Sequence, residues 1–145
     1  MALKRPESVL VVLYDEHHRV LLLQRDDDPD FWQSVTGTIE IGEAPKQTAI
    51  REVAEETGIV LSPLQLKDCQ HINRYLIRQR WLHRYPPGTR FNTEHVFCAQ
   101  VSCEHPLILT EHLAYKWADK AQAITQLWSP SNRLAVEAFV PRGRT

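Results

Sequence analysis

Hydrophobic and polar positions divide this chain into segments of different period. Ser8-Val9-Leu10-Val11-Val12-Leu13-Tyr14 is a continuous apolar run with β-branched residues, the mark of a strand covered on both faces. Asp15-Glu16-His17-His18 is a polar turn, and Arg19-Val20-Leu21-Leu22-Leu23-Gln24-Arg25 is the expected hairpin partner. Asp26-Asp27-Asp28-Pro29-Asp30 predicts a loop, because charge and proline both oppose a ladder. Phe31 to Gly37 predicts a shorter extended piece. The period then becomes helical from Pro45 to Thr57, with proline tolerated in the first turn and Gly58 as the stop. Downstream, Leu64 to Ile77 and Thr93 to Val101 predict two long strands, separated by a loop rich in Arg, Pro and aromatics from Arg80 to Arg90. Helices are expected from Asp119 to Leu127 and from Pro130 to Val140, the second capped by Ser129. With no linker, repeat or low-complexity segment, the interleaved elements predict one mixed α/β domain over residues 1–145.

The chain's 145 residues are enough for a single real core. Its formal net charge of -1 gives no bulk field to hold nucleic acid or an anionic membrane, so neither is expected as a partner. A grip on phosphate must then be local, or supplied by a metal. Cys69, Cys98 and Cys103 lack C-x-x-C spacing and are expected as small core-filling thiols in a reducing compartment. The seven histidines are scattered and make no zinc set. The basic start, Met1 to Glu7, lacks the apolar run of a signal peptide, and no segment has the roughly 20 apolar residues of a membrane span. A cytoplasmic protein is expected. An apolar strand can pair within the chain or across a dimer, so the oligomeric state stays open.

Placed at 100° steps, Ile50, Val53 and Thr57, with Ala54 beside them, gather in an arc that can face a core. Glu52, Glu55 and Glu56 gather in the opposite arc at i, i+3 and i+4 spacing, so their carboxylates can converge. Close carboxylates repel, and no lysine on that face relieves them. A solvated acidic face is one outcome. A hard divalent cation is the other: oxygen ligands suit Mg²⁺ or Mn²⁺ and do not separate the two.

The surroundings decide between them. Gly37, Glu43, Arg51-Glu52-Val53, Glu55-Glu56 and Gly58-Ile59 match every specified position of G-x5-E-x7-R-E-U-x-E-E-x-G-U, with U a bulky aliphatic. This resembles the box of the Nudix hydrolase family. The resemblance implies an α/β/α sandwich with a mixed sheet, in which the box forms a loop–helix–loop. It implies catalytic and metal-binding roles for Glu52, Glu55 and Glu56, with Arg51 orienting a carboxylate and Glu43 as the box's first glutamate. Gly37 and Gly58 are expected to give backbone freedom where loop meets helix. Metals held there neutralise phosphate charge and help ionise water.

A narrower resemblance, carried by Lys4-Arg5-Pro6, Asp27 to Gly37, His83-Arg84-Tyr85, Asn92-Thr93-Glu94, Glu111 to Trp117 and Ser131-Asn132-Arg133, is to a bacterial branch of that family. Its members release pyrophosphate from dihydroneopterin triphosphate and act on deoxynucleoside triphosphates such as dATP. On this resemblance Glu111 completes the metal site, and Lys4 and Arg25 contact phosphate. Thr36, Gly37, Tyr75 and Ser131 contact the substrate. Trp32 and Tyr75 offer flat faces to a pterin or purine, although aromatics in strands are more often core residues. Trp81, Arg84 and Tyr85 are either a lid or a loop packed on itself. A general nucleotide-pool pyrophosphatase is the alternative activity, since the box reads a diphosphate and not a base. A non-catalytic nucleotide-binding module fits poorly, because no box glutamate is lost.

Overall fold

Residues 3–142 are described by the computed structural model; Met1 and Ala2 of the basic start, and residues 143–145, lie outside the described residues. One seven-stranded sheet is built from β1 (Glu7–Tyr14), β2 (Val20–Arg25), β3 (Trp32–Gln33), β4 (Val35–Thr38), β5 (Lys67–Leu76), β6 (Phe91–Gln100) and β7 (His112–Ala118). Three helices, α1 (Pro45–Thr57), α2 (Lys120–Gln126) and α3 (Pro130–Phe139), cover it. Among the described residues no helix is long and apolar enough to cross a membrane.

The apolar run behaves as its composition predicts. Val9 to Leu13 are each at most 1% exposed, so β1 is covered on both faces. Val9, Val11 and Leu13 pack with Ala49 and Val53 of α1, whereas Leu10 and Val12 pack with Ala123 of α2 and Ala135 and Val136 of α3. Each such buried Val or Leu contributes about 1.5–3 kcal/mol relative to an exposed one. The result is the expected α/β/α sandwich. Its sheet is mixed: β1 runs parallel to β6 from Glu7↔Thr93 to Tyr14↔Gln100, and antiparallel to β4 from Ser8↔Thr38 to Val11↔Val35.

Several expectations need correction. β1 and β2 are not a full hairpin: they meet only at Tyr14↔Val20, because β4 occupies the edge of β1 that a hairpin would need. β2 pairs instead with β3 and β7. The β5 strand starts at Lys67 rather than Leu64, since the Ser62 carbonyl accepts from the N–H groups of Gln65 and Leu66 and turns Leu64 out to solvent. The loop before β6 contains a 3-10 helix, Gln79–Arg84. β7 was not foreseen as a strand; Leu113 and Tyr115 point outward and blur its apolar pattern. Ser129 precedes α3 but makes no capping bond with its side chain, and its Oγ lies 3.0 Å from Ser131 Oγ instead.

Candidate active site

Helix α1 starts and stops where its sequence predicts. Ala44 N–H donates to Gln47 Oε1 at 2.8 Å, and Gly58, at φ 81, donates its N–H to the Ala54 carbonyl. Its buried face is Thr48, Ala49, Val53, Glu56 and Thr57. Glu56 therefore belongs to the covered side, not to an outer acidic arc, and Ile50 and Ala54 are only half-buried. The Thr36 N–H on β4 donates to the Glu56 carboxyl, and His112 Nε2 on β7 lies 3.7 Å from Glu56 Oε1. Glu56 Oε2 is buried with no hydrogen-bond partner. Burial pushes this carboxyl well above its ordinary pKa, reinforced by the hydrogen bond it donates to Glu52 and by the charges of Glu52 and Glu111. Burial likewise raises Glu52, opposed by the hydrogen bond to Glu56 and the charge of Arg51.

Arg51 ties the loop to the helix. Its Nε donates to Glu43 Oε2 at 2.7 Å and its Nη2 to Glu43 Oε1 at 2.9 Å. The same guanidinium reaches Glu52 Oε1 at 2.7 Å, Glu55 Oε2 at 3.2 Å and the Thr38 carbonyl at 3.1 Å. Thr48 Oγ1 donates to Glu43 Oε1 at 2.8 Å. Glu55 stands apart from the other two glutamates on the exposed rim, its side chain 56% exposed.

Gly37 has a different role from the one expected. Its φ is not in the left-handed region, unlike those of Gly42, Gly58 and Gly88. A Cβ at Gly37 would overlap the carboxyl carbon and Cγ of Glu52. The glycine therefore supplies room rather than freedom, and it lets Glu52 lie flat across β4.

These groups edge a cavity of about 520 Å³. Lys4, Arg25, Thr36 and Gly37 line it together with Glu56, Tyr75, Glu111 and Ser131, so the dispersed substrate-contact candidates face one space. Arg51, Glu52 and Glu55 sit beside it rather than on its wall. Burial lowers the Lys4 pKa, as do the charges of Arg84 and Arg25, while Glu52 and Glu111 oppose the shift. Arg25 is already engaged: its Nε and Nη2 each lie 2.6 Å from an Asp27 carboxylate oxygen, and its Nη1 donates to Gln33 Oε1 at 2.8 Å. Gln33 Nε2 in turn lies 3.3 Å from His112 Nε2. Burial lowers the His112 pKa, partly opposed by the charge of Glu111, and its Nδ1 is buried without a hydrogen-bond partner.

The aromatic wall differs from the expected one. Trp32 packs on the core beneath α2 and α3, with Lys116 Nζ 4.2 Å from its ring centre, and does not line the cavity. Trp81 and Trp128 do, meeting edge to face at 5.5 Å, while Trp128 stacks on Phe31 at 4.9 Å. Arg78 lies over Trp128 at 4.7 Å and Arg25 over Trp81 at 4.7 Å. Arg25 and Arg78 thereby join Trp81, the loop's own contribution, and Trp128 in a wall of cations and rings. Gln33, His112, Trp128, Asn92 and Glu94 carry no local signal of their own and were missed; the topology alone assembles them. Cys98 is buried as expected, but Cys103 lies in a surface turn, where its thiol donates to Glu16 Oε1 at 2.6 Å. Glu16, His17 and Cys103 place ligand atoms within 4.8 Å of one another there, a grouping that scattered histidines did not foretell.

Glu52, Glu56 and Glu111 combine hydrogen-bonded carboxyls, a buried oxygen without a donor and mutual repulsion. That donor set suits a hard divalent cation. A Nudix domain model matches residues 4–139. The chain belongs to the Nudix hydrolase family. Family members use divalent metal ions, and the paired carboxyls of Glu52 and Glu56, with the Glu111 charge acting on Glu56, are oxygen donors of the kind such ions take. The dihydroneopterin triphosphate diphosphatase of Escherichia coli is 52% identical over 142 residues, covering 94% of this chain and 93% of that protein. The protein of the same name from Haemophilus influenzae is 41% identical over 143 residues, 97% of this chain and 90% of the relative. The solved structure of the Escherichia coli dihydroneopterin triphosphate pyrophosphohydrolase superposes with a TM-score of 0.91 at 50% identity, covering 97% of this chain and 98% of the other.

Proposed function

We propose that this Nudix enzyme, acting as one domain in the cytoplasm, hydrolyses dihydroneopterin triphosphate to the monophosphate and pyrophosphate, and accepts deoxynucleoside triphosphates such as dATP. The observation that carries this reading is the polarity of one cavity: Glu56, with one oxygen lacking a donor, and Glu111 on its wall with Glu52 behind them, and Lys4 and Arg25 on the same wall. Its volume of about 520 Å³ suits a small heterocycle with a phosphate chain. The similarity to the Escherichia coli diphosphatase supports the pterin as substrate.

Glu52, Glu56 and Glu111 would hold Mg²⁺, or Mn²⁺, with Glu55 at the outer edge. When bound, the metal neutralises phosphate charge and assists ionisation of the attacking water. The chain's own residues do the rest. Arg51 holds Glu52 and Glu55 in place through bonds of 2.7 and 3.2 Å. Lys4 and Arg25 offer cationic donors to phosphate oxygens, while Thr36, Gly37, Tyr75 and Ser131 border the substrate. Water attacks the α-phosphorus, the α–β bridging bond breaks, and pyrophosphate leaves.

The test is a coupled pyrophosphate-release assay with Mg²⁺ across dihydroneopterin triphosphate and the four dNTPs. A higher kcat/KM for the pterin is the expected result. Equal or better rates on dNTPs would remove the pterin assignment and leave a general triphosphate pyrophosphatase.

A further inference from the structure

The edge of the Arg25 guanidinium best suited to a phosphate is already covered. Its Nε and Nη2 form the fork that takes an oxyanion through two parallel bonds. Both face Asp27, at 2.6 Å from Oδ1 and 2.6 Å from Oδ2. The remaining nitrogen, Nη1, donates to Gln33 Oε1 at 2.8 Å. Arg25 and Asp27 both line the cavity, but the Arg25 side chain is 17% exposed and that of Asp27 36%. An anion entering the cavity therefore meets the carboxylate before the guanidinium.

Asp27 answers a problem of charge. Lys4, Arg25 and Arg84 line the same cavity, and cations gathered for a polyanion repel one another while it is absent. Asp27 is the anion set among them, with Arg84 Nη2 3.8 Å from its Oδ2. The hydrogen bond from Arg25 holds its carboxyl below the ordinary pKa against the pull of burial, and the charges of Arg25, Arg84 and Arg80 add to the shift. Its neighbour Asp28 is anchored separately, accepting from Arg80 Nη2 at 3.3 Å and, through its carbonyl, from the Phe31 N–H at 2.9 Å. Asp27 can thus leave Arg25 by turning its own side chain, without dismantling the loop.

We infer that Asp27 is a resident counter-anion, seated on Arg25 where a substrate phosphate goes, and that it leaves this seat when the triphosphate binds. This role rests on the hydrolysis and the phosphate contacts proposed above and names the residue that sets the affinity of the seat. A ligand that binds only molecules with an open seat shows an affinity weakened by their fraction. A single phosphate that displaces Asp27 gains little, whereas a chain that reaches Lys4 and Arg84 as well as Arg25 gains several contacts at once. The seat is thereby biased toward polyphosphates. A mere brace that aimed Arg25 would have the opposite sign: its loss would weaken phosphate binding, while the loss of a competitor strengthens it.

The experiment measures Kd for inorganic pyrophosphate with Mg²⁺ by calorimetry, in the wild type, Asp27→Asn and Asp27→Ala, and follows turnover of dATP in the same three proteins. Both variants should bind pyrophosphate about 10-fold more tightly, the size expected when a charge-assisted competitor is removed. Their KM for dATP should fall with it. Asp27→Ala offers no amide to the ligand, so its result isolates the missing carboxylate and decides the matter. A Kd in Asp27→Ala that is weaker than the wild type's, or within about threefold of it, overturns the inference and makes Asp27 a brace. Absence of turnover on every triphosphate overturns the hydrolysis reading, and the calorimetry still decides the role of Asp27 by itself.

Discussion

Arg51 and Glu43 form a two-point ion pair, with Nε 2.7 Å from Oε2 and Nη2 2.9 Å from Oε1. Glu43 comes from the loop of the box and Arg51 from its helix, so the pair closes the loop onto the helix, and it leaves Nη1 free to hold Glu52.

The hydrogen bonds from Arg51 hold the Glu43 carboxyl down to about 2 from its ordinary value of 4.5. A depressed carboxylate contributes stability that is present above its unfolded pKa and is lost as pH falls through the folded one. Glu43→Gln should therefore lower Tm by about 5 °C at neutral pH, the effect of losing charge-assisted bonds in a domain this size. The gap between wild type and variant should stay constant above pH 4.5 and close as pH drops toward about 2. Thermal melts across that range check it; a gap independent of pH would show that the ion pair is not its source.

Gly37→Ala introduces a methyl where the Glu52 carboxyl lies. Glu52 must swing away or β4 must shift. The expected result is a kcat/KM loss of about 100-fold or more, the cost of a small misplacement at a reacting centre. Steady-state pyrophosphate release measures it, and near-normal activity would mean that Glu52 has freedom the packing does not suggest.

Glu56→Gln replaces a buried carboxyl beside Glu52 with a neutral amide. Without metal, the variant should melt at or above the wild-type temperature, because a buried acid held against its neighbours' charges is gone. Mg²⁺ at about 100 times its Kd should add about 2.7 kcal/mol to the wild type, raising Tm by about 5–10 °C. The variant should gain less than about 2 °C at the same concentration. Equal gains would place the cation elsewhere.

Arg25→Lys keeps a charge but loses the fork that spans Asp27 and Gln33. KM for the triphosphate should rise about 10-fold with a smaller change in kcat, as expected for uniform binding of a phosphate. A change confined to kcat would argue that Arg25 acts on the transition state alone.

The chain's chemistry was legible wherever it is local. The box residues from Gly37 to Ile59 lie within one loop and one helix, so their spacing alone places Arg51 near Glu43, Glu52 and Glu55. Burial of Glu56 was not legible, since it depends on β4 and on His112, which is far along the chain. Trp32 and Trp128 make the same point: Trp32 was the expected platform and Trp128 was not, and the pairing of β2 with β3, beside α2, sets Trp32 into the core while Trp128 faces the cavity. The hairpin expected of β1 and β2 failed for a related reason. A turn signal says that the chain reverses, not which strand takes the vacant edge.

The two-faced burial of β1 has one more consequence. A run that is apolar at every position has no preferred alignment of its own, because sliding by one residue still buries Val or Leu on both sides. Its register must be pinned by polar stops at the ends. Ser8 supplies one, accepting from Asn92 Nδ2 at 2.7 Å. Asp15 supplies the other, fully buried and accepting from the Arg19 backbone at 2.8 Å and its Nε at 2.8 Å. Two modest side chains thus act as the end-stops of a greased rail, and the alignment of cavity with catalytic helix is set as much by them as by the core between.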